Sequence, residues 1–378
     1  MQKFLKILQI KFLHIYNKYR ENIFFNSLLK IFSYSYFFIY KFWLLLYKLN
    51  VLKKYTLKAN VISIGNITAG GTGKTPLTIE IANHLIHKGY KVAVLSRGYK
   101  RKINNNEILN QVLVSDGQDI LVDHETSGDE PYLIAKKSPK AIVIVGNDRV
   151  KAGLSAIRLG AEILILDDGY QHLKLNRNEN ILLIDSYKPF DNGQLIPAGL
   201  LREPPSAINR STAIVLSNAE KPELKNLCLE KISSFTNGKP IISMHYKIKQ
   251  FKALNIKKTM LSNEFKETAI AFCGIGNPKS FFNLLECSNI KIIDQIEFPD
   301  HHPYNYDDIK AVIQKAQKNN VENIITTEKD ALKIEELCQA SPVTFWSSEL
   351  EVKLDDSSPI EKLFVNKPLD GKKNAAYS

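Results

Sequence analysis

A glycine-rich loop between a buried strand and a helix constrains this chain more than any other feature. Residues 60–65 are predicted to form the strand, and residues 74–87 are predicted to form the helix. Glycines let backbone N–H groups turn toward phosphate oxygens, and the N-terminus of the helix adds partial positive charge. The segment therefore predicts a phosphate-binding loop, in which Lys74 reaches the β- and γ-phosphates and the Thr75 hydroxyl binds Mg²⁺. Its residues are Gly70, Gly71, Thr72, Gly73, Lys74 and Thr75.

From residue 59 onward, short β-branched runs alternate with helical stretches, a pattern typical of a mostly parallel sheet covered by helices. Further apolar runs lie at 91–96, 141–145, 163–166, 181–184, 213–216 and 241–243. A Lys-rich stretch at 247–258 precedes a second series, with strands near 269–273, 290–293 and 323–326 and helices at 278–286 and 306–318.

The length of 378 residues exceeds what one hydrophobic core usually organises, so two lobes are expected. The fold class is α/β, with two α/β/α lobes and an N-terminal lobe like that of P-loop NTPases. We place a basic amphipathic helical segment at 1–58, the P-loop lobe at 59–255 and a smaller C-terminal α/β lobe at 256–378.

Positive charge is concentrated in the first 58 residues, which hold ten Lys, one Arg and one Glu and so carry +10 of the net charge of +12. The remainder is close to neutral, so no general affinity for nucleic acid is expected, and no obligate protein partner is evident. The fractions of 44% hydrophobic and 24% charged residues exclude a disordered or fibrous chain. The four cysteines lack the spacing of a zinc site or a disulfide framework, which fits a reducing cytosol. They are Cys228, Cys273, Cys287 and Cys338.

The N-terminal segment is predicted to lie on a membrane rather than to cross it. Its longest uncharged stretch, 31–40, has ten residues and falls short of the roughly 20 needed to span a bilayer. Neighbouring lysines can extend toward anionic headgroups, and no small-residue cleavage site of a signal peptide follows. The alternative is a helix that packs on the body of the protein. The apolar residues at helical spacing are Phe32, Tyr36, Ile39, Trp43, Leu46 and Leu49.

Two adjacent carboxylates, Asp167 and Asp168, directly follow the buried strand at 163–166. A phosphate loop that works with Mg²⁺ usually has a carboxylate at the end of a neighbouring strand. Successive residues leave a strand end in opposite directions, so one carboxylate is expected to serve the metal and the other to hold the loop or the substrate. The alternative is a solvated turn.

Transfer of phosphate to an alcohol requires a group that positions the hydroxyl and accepts its proton. Asp129 stands at the start of a predicted helix, and His301 and His302 stand on a loop of the second lobe. An Asp–His pair forms across the cleft if the two lobes close on each other. Taken alone, each is more typical of a surface or capping residue.

Seven stretches, in order from residue 63 to about 333, resemble the bacterial tetraacyldisaccharide 4'-kinases, which phosphorylate the lipid A precursor. The phosphate loop departs from the general pattern at Thr68 and Pro76, and this variant also looks like that of the family. The stretches are SIGNITAGGTGKTP (63–76), LSRGYKR (95–101), GDEP (128–131), LDDGYQH (166–172), GQLIPAGLLREP (193–204), FPDHHPY (298–304) and TTEKDALK (326–333).

The resemblance implies a kinase that uses ATP and Mg²⁺ to phosphorylate the 4'-hydroxyl of tetraacyldisaccharide 1-phosphate at the cytoplasmic face of the bacterial inner membrane. Lys74 and Thr75 would bind phosphate and metal, with Lys74 also catalytic, and Asp167 and Asp168 would lie near Mg²⁺. Asp129 would accept or steer the hydroxyl proton, with His301, preferred to His302, as its partner. The residues that the resemblance places beside the cleft, near phosphate or substrate, are Arg97, Tyr99, Arg202 and Glu203.

Two other functions compete with this interpretation. A P-loop GTPase or ATPase switch would hydrolyse nucleotide to drive a partner, but residues 327–330 make a poor guanine-reading loop. A non-enzymatic membrane adaptor with a vestigial phosphate loop would be expected to lack Lys74, Thr75 or the acidic pair. All of these are present.

Overall fold

A thirteen-stranded sheet runs through the part of the chain that the computed structural model describes, namely residues 23–98, 111–219 and 221–356. Its strands are β1 (Asn60–Asn66), β2 (Val92–Ser96), β3 (Gln111–Asp116), β4 (Ile142–Gly146), β5 (Ile163–Asp167), β6 (Glu179–Asp185), β7 (Ala213–Ser217), β8 (Ile241–Ala253), β9 (Thr259–Leu261), β10 (Thr268–Cys273), β11 (Lys291–Glu297), β12 (Asn323–Thr327) and β13 (Thr344–Leu354). Their order is β11-β10-β12-β13-β8-β7-β6-β1-β5-β2-β4-β3, with β9 paired to β8.

Helices connect most of these strands, which confirms the predicted α/β fold with a mostly parallel sheet. The predicted helices at 74–87 and 306–318 have the observed bounds, and the second begins at a capping box between Asn305 and Asp308. The helices are α1 (Ile23–Lys48), α2 (Lys74–His87), α3 (His124–Ser127), α4 (Asp129–Lys137), α5 (Arg149–Arg158), α6 (Pro222–Thr236), α7 (Pro278–Cys287), α8 (Tyr306–Lys318) and α9 (Glu328–Ile334), with a 3-10 helix at Pro205–Arg210.

The direction of the sheet reverses where β8 meets β13. Strand β8 is parallel to β7 but antiparallel to β13, and β13 is parallel to β12. The first half of β8 pairs with β7. The second half of β8 pairs with the part of β13 that also pairs with β12, so β12 lies level with this second half. The carboxyl ends of the two parallel blocks therefore face each other across the middle of β8 and β13. Ligand sites of parallel sheets form at such ends.

Strand β8 is longer than the sequence predicted. The expected strand at 241–243 continues through the Lys-rich stretch to Ala253, because this part pairs with β13 and buries Ile248, Phe251 and Ala253. The division of the chain at residue 255 stays a prediction. Of the other predictions, those on residues 1–22 and on Tyr99 lie outside the described residues.

Helix α1 presents two faces of different chemistry. Leu29, Ser33, Tyr40 and Tyr47 are buried against the protein. Of the six residues predicted to form an apolar membrane face, Phe32, Ile39 and Leu49 are exposed. Tyr36, Trp43 and Leu46 are partly buried, and Tyr36 hydrogen-bonds to the protein. Within the described residues, none of the helices combines the length and the apolarity needed to cross a bilayer. The exposed apolar residues of α1 are Leu28, Ile31, Phe32, Tyr34, Phe38, Ile39, Phe42 and Leu45.

Candidate active site

The phosphate loop follows β1 and ends in the first turn of α2, as the sequence predicts. Gly73 caps the helix in the left-handed region with φ 89°, and a Cβ there would collide with the Tyr246 hydroxyl of β8. Asn66, the last residue of β1, donates from Nδ2 to Thr72 Oγ1 at 2.8 Å and accepts from Lys74 Nζ at 3.4 Å. Strand β1 thus fixes the loop through one amide side chain.

Asp167, at the end of β5, is a buried carboxylate next to the loop. It accepts hydrogen bonds from Thr78 Oγ1 at 3.2 Å and Ser96 Oγ at 3.3 Å. Burial raises its pKa to about 7, and the negative charges of Glu130 and Asp168 add to this shift. A carboxylate in this state is readily ionised by a nearby cation.

The pKa of Asp168 is shifted in the opposite direction to that of Asp167. It adopts φ 52° and accepts from Arg202 Nη1 with both carboxylate oxygens, at 3.1 and 3.0 Å. Lys74 Nζ lies 3.7 Å away. Burial alone would raise the pKa of Asp168, but the charges of Lys74 and Arg202 outweigh it and lower that pKa. The two adjacent carboxylates therefore contact different side chains, whereas their separate roles at the metal and at the loop or substrate stay a prediction.

The second part of the site joins α4 to the C-terminal half of the chain. His301 Nδ1 lies 3.1 Å from Asp129 Oδ2, and Lys333 Nζ lies 2.9 Å from the same oxygen. Burial would raise the pKa of Asp129, but the His301 hydrogen bond and the Lys333 charge hold it well below its usual range. His302 instead contacts Asp308 at 3.0 Å and stacks on Phe298.

Lys329 fixes the proton of His301. Its Nζ lies 3.1 Å from His301 Nε2 and 3.1 Å from Glu130 Oε1. An ammonium group is a donor only, so Nε2 is the acceptor of this contact and the ring proton is on Nδ1, directed at Asp129. In this tautomer, the basic nitrogen of His301 is Nε2.

Both parts of the site face one cavity of about 1410 Å³. The loop Gly70–Thr75, Asp167 and Asp168 line one side, and Glu130, His301 and Lys329 line another. The floor comes from β8 and β13, including Tyr246 and residues 348–352. Asp129 and Lys333 lie behind this lining, so His301 is the member of the Asp–His pair at the cavity wall.

The four residues predicted beside the cleft have different surroundings. Arg97 is exposed at the cavity, whereas Arg202 is paired with Asp168. Glu203 is buried, accepts from the Tyr40 hydroxyl at 2.6 Å and forms an ion pair with Arg210 at 2.6 Å. Tyr99 lies outside the described residues. Glu203 therefore holds protein groups together rather than lining the cavity.

Sequence reasoning did not single out several residues of the site. Lys329 and Lys333 stand in the TTEKDALK stretch, but nothing local indicates a contact with residues about 200 positions earlier. Arg149, which lines the cavity, follows β4 in the same parallel sheet, and that position was the available signal. Burial lowers the pKa of Arg149 to about 10, against the charge of Asp167. Burial and the Arg149 charge lower the pKa of His172, also at the cavity, to about 4.

Comparisons with known proteins find one matching family, similar sequences and a similar crystal structure. The family described as tetraacyldisaccharide-1-P 4'-kinase (LpxK) matches residues 25–367. The tetraacyldisaccharide 4'-kinase of Halothermothrix orenii is 42% identical over 302 residues, 76% of this chain and 78% of that protein. That of Pelobacter propionicus is 34% identical over 342 residues, 90% and 92% of the two chains. A crystal structure of LpxK from Aquifex aeolicus in complex with ATP is similar with a TM-score of 0.71 and 34% identity, covering 90% of this chain and 98% of that one.

The loop geometry predicts that Gly73→Ala strongly weakens nucleotide binding. A Cβ at Gly73 meets Tyr246 and also strains a left-handed backbone, so the loop must move. We expect the affinity for ATP, measured by calorimetry, to fall about 100-fold or more, which is about 2.7 kcal/mol.

Gly89→Ala is the matched control. Gly89 also has a positive φ, 91°, but no atom lies within 4 Å of a Cβ there. It should lose about 1–2 kcal/mol of stability and keep its ATP affinity. Equal losses of affinity in the two variants would show that the collision with Tyr246 is not the cause.

The raised pKa of Asp167 predicts an unusual dependence of stability on pH. Its pKa is about 7 in the folded protein against an ordinary 3.8, so the folded state keeps a proton that the unfolded state has lost. In EDTA, the contribution of Asp167 to the free energy of unfolding is therefore greatest below pH 4 and is lost as pH rises toward 7. The total loss is a few kcal/mol, at about 1.4 kcal/mol per unit of pKa shift. Asp167→Asn should flatten the curve of melting temperature against pH in this window.

Asp191→Asn, which changes an exposed carboxylate in a turn that Asn also tolerates, is the control and should leave that curve unchanged. An unaltered slope in Asp167→Asn would assign the pH dependence to another group.

Proposed function

The chain belongs to the tetraacyldisaccharide 4'-kinase family, and from this premise we propose how its cleft carries out the reaction. The activity of the chain is that of a phosphotransferase with an alcohol acceptor, which moves the γ-phosphate of ATP onto the 4'-hydroxyl of tetraacyldisaccharide 1-phosphate, a lipid A precursor. The observation that carries the proposal is one cavity, with the phosphate loop and acidic strand end on one side and His301 on the other.

The loop Gly70–Thr75 binds the phosphates of ATP. Its backbone N–H groups and the N-terminus of α2 supply the cradle, and Lys74 supplies the charge near the γ-phosphate. Asn66 holds Lys74 and Thr72 before nucleotide arrives. A preorganised loop of this kind stabilises the charge that spreads over the transferring phosphoryl group.

The residues next to the loop fit Mg²⁺. Mg²⁺ is usually held by one or two carboxylates together with substrate phosphates and water. Asp167 fits this description, because burial raises its pKa and a cation would restore its ionised state. Asp168 and the Thr75 hydroxyl complete the candidate ligands. When bound, the metal neutralises charge on the β- and γ-phosphates.

The Asp129–His301 pair receives the proton of the attacking hydroxyl. His301 lines the cavity, and its Nδ1 proton is held by Asp129. Lys333 keeps Asp129 ionised, and an ionised Asp129 stabilises the imidazolium that forms when Nε2 takes up a proton. Lys329 occupies Nε2 in the described state, so an incoming hydroxyl has to replace this contact.

Cationic groups at the cavity suit the remaining phosphates. Arg97 is exposed there, and Arg149 lies deeper, with its Nη1 donating to the Gly146 carbonyl at 2.6 Å. We assign these two arginines to phosphate or substrate, since guanidinium groups bind phosphate oxygens with two donors at once. Arg202 affects the site by binding Asp168, and Glu203 affects it through its buried hydrogen bonds. The role of Tyr99 beside the cleft stays a prediction.

Helix α1 docks the enzyme on the cytoplasmic face of the bacterial inner membrane. Its outward face carries Phe38, Ile39 and Phe42, each more than 60% exposed, and Lys30 and Lys41 flank them. A contiguous apolar face rimmed by lysines is typical of a helix that lies in an anionic lipid interface. The acyl chains of the substrate occupy the same interface.

Transfer of radiolabel from γ-labelled ATP to detergent-dispersed tetraacyldisaccharide 1-phosphate tests the chemistry. Lys74→Ala should lose about 100-fold or more of the rate, because charge on the phosphoryl group is no longer matched. Asp129→Ala and His301→Ala should each lose about 100-fold. Because the two act as a unit, their double variant should resemble the larger single loss.

Lys88→Ala, which changes an exposed lysine after α2, is the control for charge. If the rate of the double variant fell by the product of the two single losses, Asp129 and His301 would act independently. Release of phosphate to water at the same rate with and without lipid would instead identify a nucleotide-hydrolysing switch.

Substitution of the outward face of α1 tests the docking. A Phe38→Ser, Ile39→Ser, Phe42→Ser variant should lose most of its binding to sedimented vesicles that contain anionic lipid, since each buried large apolar side chain contributes about 1.5–3 kcal/mol. Leu227→Ser, at an exposed apolar position of α6, is the matched control. Undiminished vesicle binding by the triple variant would assign docking to another surface.

A further inference from the structure

We infer that Tyr40 is a positioning residue for the phosphate loop and acts through Glu203 and Gln171. Helix α1 would then set the geometry of the nucleotide site in addition to docking the enzyme. This inference rests on the proposed function for the meaning of the site, but its contacts and its test concern ATP binding alone.

The inward face of α1 is attached to the protein by hydroxyl groups. Tyr36 and Tyr40 stand one turn apart, and they reach two consecutive residues of the loop before the 3-10 helix. The Tyr36 hydroxyl donates to the Arg202 carbonyl at 2.7 Å, and the Tyr40 hydroxyl donates to Glu203 Oε2 at 2.6 Å. One turn of helix therefore fixes both residues at once.

Glu203 passes this restraint into the protein interior. It is 1% exposed, and Arg210 Nη2 lies 2.6 Å from the oxygen that Tyr40 binds. Its other oxygen, Oε1, accepts from Gln171 Nε2 at 2.7 Å. Short hydrogen bonds to a buried carboxylate are strong and directional, so the Glu203 side chain has one position.

Gln171 connects Glu203 to the phosphate loop. The same Nε2 donates to the Asn66 carbonyl at 2.9 Å. The Asn66 side chain in turn holds Thr72 and Lys74. An uninterrupted series of contacts thus leads from Tyr40 to the lysine that meets the phosphates.

A second, parallel series of contacts leads through Asp168, at the acidic strand end, to Lys74. Tyr36 holds the backbone of Arg202, whose guanidinium binds Asp168, and Lys74 lies 3.7 Å from Asp168. The two routes start on one helix and meet at Lys74. This convergence distinguishes the arrangement from ordinary packing of a helix on a domain.

Tyr40→Phe removes one hydroxyl and keeps the ring, so the helix stays packed while the first contact is lost. We expect the dissociation constant for ATP, measured by calorimetry in the absence of lipid, to rise roughly fivefold to tenfold. Gln171→Leu should produce a rise of the same size. The double variant should show no further rise, because both changes break one series of contacts.

Tyr34→Phe is the matched control, because Tyr34 is 67% exposed on the same helix. It should keep its ATP affinity. Binding to anionic vesicles should be the same in all these variants, since the outward apolar face is intact.

An unchanged ATP affinity in Tyr40→Phe would overturn the inference. The inference would also be overturned if the loss of ATP affinity occurred only near the melting temperature of the variant and disappeared at lower temperatures. That result would mean reduced stability and not altered positioning. If the wild type bound ATP but formed no lipid product, the proposed function would fail while the ATP result still decided the role of Tyr40.

Discussion

The antiparallel pairing of β8 with β13 is the constraint on which the rest of the structure depends. A parallel sheet places its ligand-binding ends along one edge, so two parallel blocks joined in the same direction would leave their sites side by side. The reversal turns those ends toward each other. The phosphate loop after β1 can therefore meet residues that follow β11 and β12, and the middle of β8 and β13 closes the floor between them.

Charges in the cleft are arranged in two states that suit different tasks. Asp129 is matched by Lys333, so it is ionised in the absence of any ligand. Among the described residues, Asp167 accepts hydrogen bonds from the hydroxyls of Thr78 and Ser96, and burial raises its pKa to about 7. The first arrangement keeps a negative charge next to the Nδ1 proton of His301. The second leaves a buried carboxylate for which the protonated form is favoured until additional positive charge lies next to it.

The sequence was sufficient for the parts of the fold and site that depend on local pattern. Helical spacing predicted the bounds of α2 and α8, and a strand that runs into Asp167 predicted the acidic end. Contacts between distant segments were not predictable from such patterns. No local signal pairs Lys333 with Asp129, and β8 was predicted too short because its lysines alternate with buried residues over 247–253. The spacing of apolar residues in α1 did not reveal that the Tyr36 hydroxyl binds the protein, because its partner, the Arg202 carbonyl, is 166 positions away in the chain.

Helix α1 inverts the usual pattern of a surface helix. An amphipathic helix of a globular protein turns its apolar stripe to the core and its polar face to water. Here Ser33, Tyr36 and Tyr40 hydrogen-bond inward, while Phe38, Ile39 and Phe42 point outward. Apolar packing allows a helix to slide or rotate, but hydrogen bonds to fixed partners are directional. The hydroxyl contacts therefore fix the rotation of the helix, and with it the direction in which its exposed apolar residues point.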